Sequence, residues 1–400
     1  MRRLAWLATA PLRIRDDPRP GYAAALAARL RSPHVELTWM GRTGLHAVCR
    51  ALGIGPGDEV VVSAYTCVVV VRSFALLGAS PVYCDIDPAT FNTPVQAVLD
   101  AITSRTRVVV LQHTYGLPVR VEPILAACRP RGITVVEDAC HAFGTTIDGR
   151  PAGTLADAGF FSTQWNKPFS TGFGGFLAIS NPDLAGKVAA AMRGAARAPA
   201  VRTLQLRAQL LAHEAIVTPR THGLAQAAYR WLYSHGLILG SGTPTEAAGG
   251  RYHGVPDEYF QGMSRPQAEA GLFEAARFDA GIERRRAVSA VYAEGLARAG
   301  IEPAPSPPGT VYSRYPVRVR NKQDLAREAM LAGIPIGTWF ETPLHPIPLA
   351  RHPDFGMDPD RFPASLAACR EVVNLPATLA TTDADAERAL AFVLRKGRLA

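Results

Sequence analysis

The chain has 400 residues, 48% of them hydrophobic and 19% charged; this is too long for one hydrophobic core and excludes a disordered or fibrous protein. The 43 lysine and arginine residues exceed the 34 acidic ones, so the formal net charge is +9 and anionic ligands are favoured. The basic residues are dispersed and form no recognition-helix pattern, so we expect no nucleic acid partner.

Helical patterns alternate with short apolar, β-branched runs from Gly41 to Phe176, which predicts a doubly wound and mostly parallel sheet. In chain order the predicted elements are helix 44–52, strand 59–62, helix 69–77, strand 81–84, helix 94–102, strand 107–112, helix 122–129 and strand 134–136. Asp138 follows the last of these strands. Open α/β sheets bind ligands at the carboxyl ends of their strands, so Asp138 is a candidate site residue.

The second half of the chain predicts more helix and a smaller domain. Residues 193–250 predict a helical insertion, which we expect to pack on the body or across a dimer rather than on a membrane, with a mobile loop at 240–250. One long helix is predicted over 265–299, then strands near 311–319 and a helix over 322–332. We therefore expect a large domain at 1–264 and a small α+β domain at 265–400.

The six cysteines lie far apart and match neither a C-x-x-C pair nor a zinc-ligand spacing. We therefore expect reduced thiols in a cytoplasmic protein, and no metal site. The amino-terminal segment lacks the apolar core and cleavage site of a signal peptide. No uncharged apolar stretch reaches about 18 residues, so no membrane span is expected.

The segment from Gly41 to Gly44 comes directly before the first predicted helix. Unpaired backbone N–H groups and the positive end of the helix dipole could bind a phosphate there. The alternative is that Thr43 simply caps the helix.

Asp138 and His141 follow a buried strand together. A buried, ionised Asp needs a cationic partner, which a protonated ring nitrogen of a ligand would supply. The alternative is an Asp that caps a loop and a His that is satisfied within the core.

Lys167 is flanked by Phe161, Trp165 and Phe169 and is followed by a glycine-rich turn. A lysine in such apolar surroundings could be a neutral, nucleophilic amine. Most lysines are merely solvated, and this run alone names no ligand.

Four segments occur in a fixed order: GRTGLH (41–46), PVYCDID (81–87), VEDACHA (136–142) and FSTQWNKPFSTGFGG (161–175). In order and spacing they resemble the DegT/DnrJ/StrS family, pyridoxal phosphate (PLP)-dependent aminotransferases that act mainly on nucleotide-linked keto sugars. GIPIG (333–337) and NLP (374–376) extend the resemblance more weakly. It implies an α/β protein of PLP-dependent transferase fold type I, with a mostly parallel seven-stranded sheet between helices, a smaller α+β carboxyl-terminal domain, and a homodimer.

The resemblance also implies the site residues. Lys167 would form the Schiff base with PLP, and Asp138 would pair with the pyridine nitrogen. His141 would lie beside the cofactor ring, while the phosphate-binding positions fall on Thr43, Gly44 and Ser162. Further candidates for the pocket are His113, Tyr115, Trp339 and His345.

The chain departs from the family pattern at three places. Phe173 replaces the acid of the usual TGEGG turn, and Cys67 occupies a cofactor-binding position that often carries an aromatic residue stacked on the ring. The loop at 257–263, where the partner subunit commonly offers an Asn to the phosphate, contains no Asn. These departures predict weaker cofactor binding by about 1–3 kcal/mol if nothing substitutes.

The function expected from the resemblance is transfer of an amino group from glutamate or glutamine to a keto sugar, in two half-reactions. The alternatives are amination of a cyclitol ketone, another PLP reaction such as elimination or decarboxylation, and a PLP-binding regulator without turnover.

Overall fold

Helices and strands alternate along the chain, as predicted from the sequence. The structure is a computed structural model, and it describes residues 3–217, 221, 225, 228–229, 231–233, 235, 237–240 and 254–399. Within these ranges the longer helices are α1 (Arg3–Arg13), α2 (Pro18–Leu30), α3 (Gly41–Ala51), α4 (Val68–Ala75), α5 (Val95–Asp100), α6 (Glu122–Cys128), α7 (Pro182–Met192), α8 (Ala200–Ile216), α9 (Arg265–Ala275), α10 (Phe278–Arg298), α11 (Lys322–Leu331), α12 (Pro363–Glu371) and α13 (Asp383–Lys396). No helix of the described ranges has both the length and the apolar character needed to cross a bilayer.

The strands of the described ranges are β1 (His34–Thr38), β2 (Glu59–Ser63), β3 (Thr66–Cys67), β4 (Ser80–Cys84), β5 (Thr106–Gln112), β6 (Thr134–Asp138), β7 (Thr146–Ile147), β8 (Arg150–Pro151), β9 (Ala158–Ser162), β10 (Gly175–Ile179), β11 (Arg314–Arg318), β12 (Leu344–His345) and β13 (Val372–Pro376). Seven of them form one sheet in the order β1-β10-β9-β6-β5-β2-β4. Strand β2 is parallel to β4 and β5, β5 is parallel to β6, and β1 is antiparallel to β10. This confirms the predicted mostly parallel sheet.

The chain divides into two compact units, each built from two segments. Unit 1 is Met1–Gly53 with Phe160–Phe278, and unit 2 is Ile54–Gly159 with Asp279–Ala400. The domain division at residue 264 inferred from the sequence stays a prediction.

In unit 1, helices α2 and α9 cross closely at a glycine. A Cβ on Gly271 would lie 2.5 Å from the Tyr22 ring, so a side chain there would force the two helices apart. Helix α9 begins with a capping box in which Ser264 and Gln267 satisfy each other's backbone N–H groups. The start of α9 is therefore fixed beside α2, and the Gln267 side chain also donates to the Trp39 carbonyl at 3.0 Å.

In unit 2, the parallel strands are buried because their residues are apolar and β-branched. All five residues of β2 are buried, and Val61, Val109 and Val135 meet in one hydrophobic cluster. A second cluster joins β11, β13, α10 and α13 around the buried side chains of Tyr292 and Tyr315.

The prediction of one long helix over 265–299 is wrong, because α9 ends at Ala275 and α10 begins at Phe278. The break lets Phe278 bury its ring against Phe169, with 4.9 Å between the ring centroids. The helical pattern of the sequence continues across this break, so the sequence gives no sign that one helix ends and another begins. Only one strand, β11, forms in the region where several were predicted, and the predicted mobile loop at 240–250 lies outside the described residues after Gly240.

Candidate functional site

The site residues inferred from the sequence fall into both units. Thr43, Gly44, Ser162 and Lys167 belong to unit 1, whereas Cys67, Asp138 and His141 belong to unit 2.

The first turn of α3 packs directly against the sheet of unit 1. The sequence predicted that Gly41 to Thr43 precede this helix. The helix instead begins at Gly41, so these residues lie in its first turn. A Cβ on Gly175 would lie 2.3 Å from the Gly41 nitrogen, so glycine is required where helix and strand meet. The N-cap residue is Met40, which makes no side-chain capping hydrogen bond. The interpretation of Thr43 as a plain cap is therefore wrong, and the helix start keeps the character of an anion site.

The hydroxyl of Thr43 holds the loop that lacks the expected Asn. Its Oγ1 donates to the carbonyl of Glu258 at 3.2 Å, within the 3₁₀ turn Asp257–Phe260. Because a hydroxyl has one proton to donate, the same group cannot donate to a phosphate while this contact exists. The cofactor role of Thr43 stays a prediction. Gly44 has a packing reason to be glycine, since a Cβ there would lie 3.0 Å from the Leu177 side chain.

Lys167 lies in a closed loop between β9 and β10. Ser162 is the last residue of β9, and the loop is shut behind it by a hydrogen bond from Thr163 N to Gly174 O (2.9 Å). The hydroxyls of Thr163 and Thr171 meet at 2.7 Å, and Lys167 N donates to Gln164 O at 3.0 Å in a turn. The lysine is half-buried. Because these hydrogen bonds join the two ends of the loop, they restrict where the Lys167 side chain can point.

The aromatic residues around Lys167 anchor this loop at separate points. Trp165 stacks on His213 of α8 at 4.5 Å between ring centroids, and Phe169 packs on Phe278. Phe161 belongs to the sheet instead and stacks on Phe176 at 4.5 Å. The three aromatic residues that flank Lys167 in the sequence therefore each pack against a different part of unit 1.

Phe173, which replaces the expected acid, is fully buried in an apolar cluster with Leu206 and Leu210 of α8. The same two leucines approach the turn so closely that a Cβ on Gly172 would lie 3.0 Å from Leu210 and 3.1 Å from Leu206. Helix α8 belongs to the insertion predicted at 193–250. The helix therefore covers the glycine-rich turn with apolar side chains, which explains why a phenylalanine stands there.

Phe173→Glu is expected to lower the free energy of unfolding by about 3–5 kcal/mol, because it buries a carboxylate without a cation among leucine side chains. Urea unfolding measures this difference. The control is Leu12→Glu on α1 of the same unit, where the side chain is 80% exposed and a change within about 0.5 kcal/mol is expected. Equal losses in the two variants would show that the cluster does not stabilise the turn.

The chain contains only four lysines, which narrows the choice of a nucleophilic amine. Lys187 is exposed on α7, and Lys396 pairs with Glu328 at 3.1 Å. Lys322 is buried and donates to the carbonyls of Phe340 (2.8 Å) and Cys369 (2.7 Å). Of the four, Lys167 is the half-buried lysine on a loop at the end of a sheet strand.

Lys322 gives a pH-dependent stability that can be measured. Burial lowers its pKa to about 8, from an ordinary value of 10.5. Below pH 8 the amine is charged in both states, so the cost of burying the charge is fully present. Between pH 8 and 10.5 the folded chain has released a proton that the unfolded chain still binds, so stability rises with pH. Relative to Lys322→Met, the wild type should gain up to about 3 kcal/mol of unfolding free energy over this interval.

The experiment is urea unfolding of both proteins at several pH values between 7 and 10.5. Lys396→Met is the control, because the Lys396 ion pair is half exposed and should contribute little at any pH. A constant difference between wild type and Lys322→Met across the interval would contradict the assignment of the low pKa to Lys322.

In unit 2, two neighbouring acids at the end of β6 have different tasks. Glu137 pairs with His113 Nε2 at 2.8 Å and accepts backbone N–H bonds from Gly153, Leu155 and Ala156, which fixes the turn before β9. Successive strand residues point to opposite faces, so Asp138 faces the other side. Asp138 is 6% exposed, and its Oδ1 accepts from Cys140 N at 3.0 Å. The pairing of His113 with Glu137 makes His113 a structural residue.

His141 lies within an aromatic stack. Its ring is 5.4 Å from that of Trp339 at an interplanar angle of 25°. Its Nδ1 accepts from Tyr115 N at 3.4 Å, so the neutral ring carries its proton on Nε2. The Tyr115 hydroxyl donates to the Trp339 carbonyl at 2.6 Å. The stack therefore holds the His141 ring in place, and the N–H of Tyr115 favours the tautomer with the proton on Nε2.

Cys67 is half-buried in β3, which pairs with His345 of β12. Its role beside a cofactor stays a prediction.

These groups have the chemistry that PLP requires. A buried carboxylate suits a protonated ring nitrogen, a half-buried amine suits an aldehyde, and an α3 start without a side-chain cap suits a phosphate. The residues present therefore fit the cofactor that the sequence resemblance implies.

Comparisons with known proteins agree with the family resemblance seen in the sequence. The profile of the DegT/DnrJ/EryC1/StrS aminotransferase family matches residues 20–393. GDP-perosamine synthase of Caulobacter vibrioides is 40% identical over 148 residues, which cover 37% of this chain and 40% of that protein. UDP-2-acetamido-2-deoxy-3-oxo-D-glucuronate aminotransferase of Pseudomonas aeruginosa is 28% identical over 84% of this chain and 79% of its own length.

A solved structure shows the same fold. Spr1654 of Streptococcus pneumoniae in its PLP form aligns with a TM-score of 0.73 and 21% identity, covering 99% of this chain and 96% of that one. The predicted fold class is confirmed. The chain belongs to the DegT/DnrJ/EryC1/StrS aminotransferase family, whose cofactor is PLP.

Proposed function

We propose that this chain transfers an amino group from glutamate or glutamine to the keto group of a nucleotide-linked sugar. The proposal is carried by the chemistry of two residues: Lys167 lies on the closed loop of unit 1, and Asp138 has a buried carboxylate in unit 2. Two relatives named for nucleotide-linked sugars support the acceptor class. The net charge of +9 suits an anionic diphosphate.

The proposed roles follow from the chemistry of each residue. PLP, when bound, supplies an aldehyde that carries the amino group and a protonated ring that withdraws electrons from the reacting carbon. Lys167 Nζ is the attachment point; once the amino donor has displaced it, it takes the proton from the donor's Cα as general base and later returns one as general acid. Asp138 accepts the hydrogen bond of the ring N–H and keeps that nitrogen protonated.

The remaining residues hold the cofactor. The backbone N–H groups at the α3 start, where Thr43 and Gly44 lie, would donate to the phosphate together with the Ser162 hydroxyl. His141 would pack on one ring face, with Cys67 nearby. We also propose a cytoplasmic homodimer. No disulfide joins any of the six cysteines within the described ranges, as expected in a reducing compartment, and the exposed Val201 and Leu204 on α8 offer an apolar surface to a second copy.

A cyclitol ketone is the second candidate acceptor. L-glutamine:2-deoxy-scyllo-inosose aminotransferase of Streptomyces fradiae is 34% identical over 46% of this chain. The family includes such a relative, so the acceptor screen has to contain both classes.

A single-turnover experiment tests the proposal. Holoenzyme is mixed with L-glutamate or L-glutamine, and both the keto acid released and the aminated cofactor are measured. Nucleotide-linked keto sugars and cyclitol ketones are then added to the aminated form. Amination of a nucleotide-linked sugar supports the proposal, and amination of a cyclitol alone selects the second candidate. Release of keto acid without aminated cofactor indicates elimination, and no reaction with any donor indicates a binding protein without turnover.

A further inference from the structure

Helix α1 is a part of this chain that the family profile does not describe. The profile matches residues 20–393, whereas α1 runs from Arg3 to Arg13. The helix nevertheless packs into unit 1, because Leu7 is buried and belongs to the apolar cluster that contains Phe173. Arg3 precedes Leu7 by four residues, so the two side chains lie on one face of the helix. The face that packs beside Phe173 therefore also presents Arg3.

The guanidinium of Arg3 joins the loop of Lys167 to two neighbouring helices. Its Nη2 donates to the carbonyl of Ser170, three residues after Lys167. Its Nη1 donates to Glu214 Oε1 of α8 at 3.0 Å, and its Nε lies 3.1 Å from Glu274 Oε1 of α9 as an ion pair. The side chains of Arg3 and of both glutamates are at most 20% exposed. Because carboxylates on two sides hold this guanidinium in place, they also hold the carbonyl of Ser170 that it binds.

The contact with Arg3 completes a set of attachments on both sides of Lys167. Before the lysine, Trp165 stacks on His213 of α8. After the lysine, Arg3 ties the loop backbone to Glu214, the next residue of the same helix. Fixing the backbone on both sides of a lysine limits the positions that its amine can reach, which is what a reacting amine requires.

We propose that Arg3 is a positioning residue for Lys167, which it holds through the carbonyl of Ser170. The inference rests on the proposed function, because the reacting amine is assigned to Lys167 there. In this role Arg3 acts through the loop and binds no substrate itself. Without Arg3 the loop should open more often, so that Lys167 Nζ spends part of its time away from the place of reaction, while the sheet below the loop stays intact.

Hydrogen exchange of the holoenzyme, measured by mass spectrometry, tests the contact without any turnover. Arg3→Met keeps much of the apolar stem but removes the guanidinium. We expect exchange in the peptide of residues 163–174 to become about 10- to 100-fold faster, the factor for loss of one hydrogen bond to a charged group. Exchange in β9 and β10 should not change. Arg3→Lys should restore part of the protection, since lysine keeps the charge but loses the planar fork.

Arg265→Met is the matched control. Arg265 also lies in unit 1, pairs with Glu269 at 2.9 Å and donates to the carbonyl of Ile14. Its loss therefore removes an ion pair and a carbonyl contact of the same kinds, but both partners lie outside the loop of residues 163–174. Exchange of that loop in Arg265→Met should match the wild type.

A further variant separates the loop contact from the charge that Arg3 neutralises. Arg3→Met leaves the carboxylates of Glu214 and Glu274 without the cation between them, which by itself would loosen unit 1. Combining it with Glu214→Gln and Glu274→Gln removes both carboxylates, whereas the donor to Ser170 is still missing. Fast exchange of residues 163–174 should persist in this triple variant. Protection that returns to the wild-type level would assign the effect to charge and overturn the proposal.

The half-reaction with the amino donor tests the link to Lys167. In single turnovers of the holoenzyme the amplitude counts folded molecules, whereas the rate constant depends on how the amine is positioned. Arg3→Met should lower the limiting rate constant about 10- to 100-fold and leave the half-saturating donor concentration unchanged, since Arg3 does not bind the donor. A merely structural role would lower the amplitude alone.

Unchanged exchange of residues 163–174 in Arg3→Met refutes the contact, and faster exchange with an unchanged rate constant refutes the positioning role. If the expected exchange is found but the wild-type holoenzyme transfers no amino group from any donor, the proposed function fails while the contact of Arg3 with the loop stands.

Discussion

Replacing Lys167 by alanine is expected to abolish covalent attachment of PLP and to slow amino transfer by at least about 10³-fold, because the nucleophile and the general base are lost together. Borohydride reduction of the holoenzyme, followed by digestion and mass spectrometry, locates the attachment. With four lysines in the chain, the labelled peptide identifies the residue directly.

Lys187→Ala is the control, since Lys187 is exposed on α7 and should affect neither attachment nor rate. Label on Lys322 or Lys396 of the wild type would show that the assignment of Lys167 is wrong. Lys322 is the stricter alternative, because its pKa, lowered to about 8, leaves part of its amine neutral near that pH, although two carbonyls accept hydrogen bonds from its Nζ.

Asp138→Asn is expected to slow the half-reaction with L-glutamate about 10²- to 10³-fold, the range for loss of one preorganised electrostatic group. An amide no longer holds the ring nitrogen protonated, although it can still accept the hydrogen bond from Cys140 N. The folded structure and PLP binding should therefore largely persist. Single-turnover absorbance of the bound cofactor measures the rate.

A cofactor methylated on its ring nitrogen carries the positive charge permanently, so it should restore a large part of the rate in Asp138→Asn. The control is Asp157→Asn, because Asp157 Oδ2 accepts from Val135 N of the same strand at 2.9 Å. This variant should lose stability but keep its rate per folded molecule. An Asp138→Asn enzyme as fast as the wild type would remove the carboxylate from the mechanism.

The sequence predicted the parallel strands well, because buried strands such as β5 and β6 are short apolar runs with polar residues at their carboxyl ends. Their predicted bounds differ from the structure by at most two residues. The position of Asp138 at the end of β6 follows directly from that pattern. The family and the fold class were also predicted from four ordered segments, and both are confirmed.

Features that depend on distant residues could not be predicted. The start of α3 was placed three residues late because Met40 gives no capping signature. The contact of Thr43 with Glu258 joins residues 215 positions apart.

The packing of α8 on the glycine-rich turn also bears on protein engineering. Leu206 and Leu210 fit against Gly172 and Phe173, so the loop of residues 163–174 and the helix of residues 200–216 form one exchangeable cassette. A chimera that imports an acid-bearing turn from a relative without its matching helix would place a charge under two leucines. Grafting both pieces together is the combination that should yield folded enzyme.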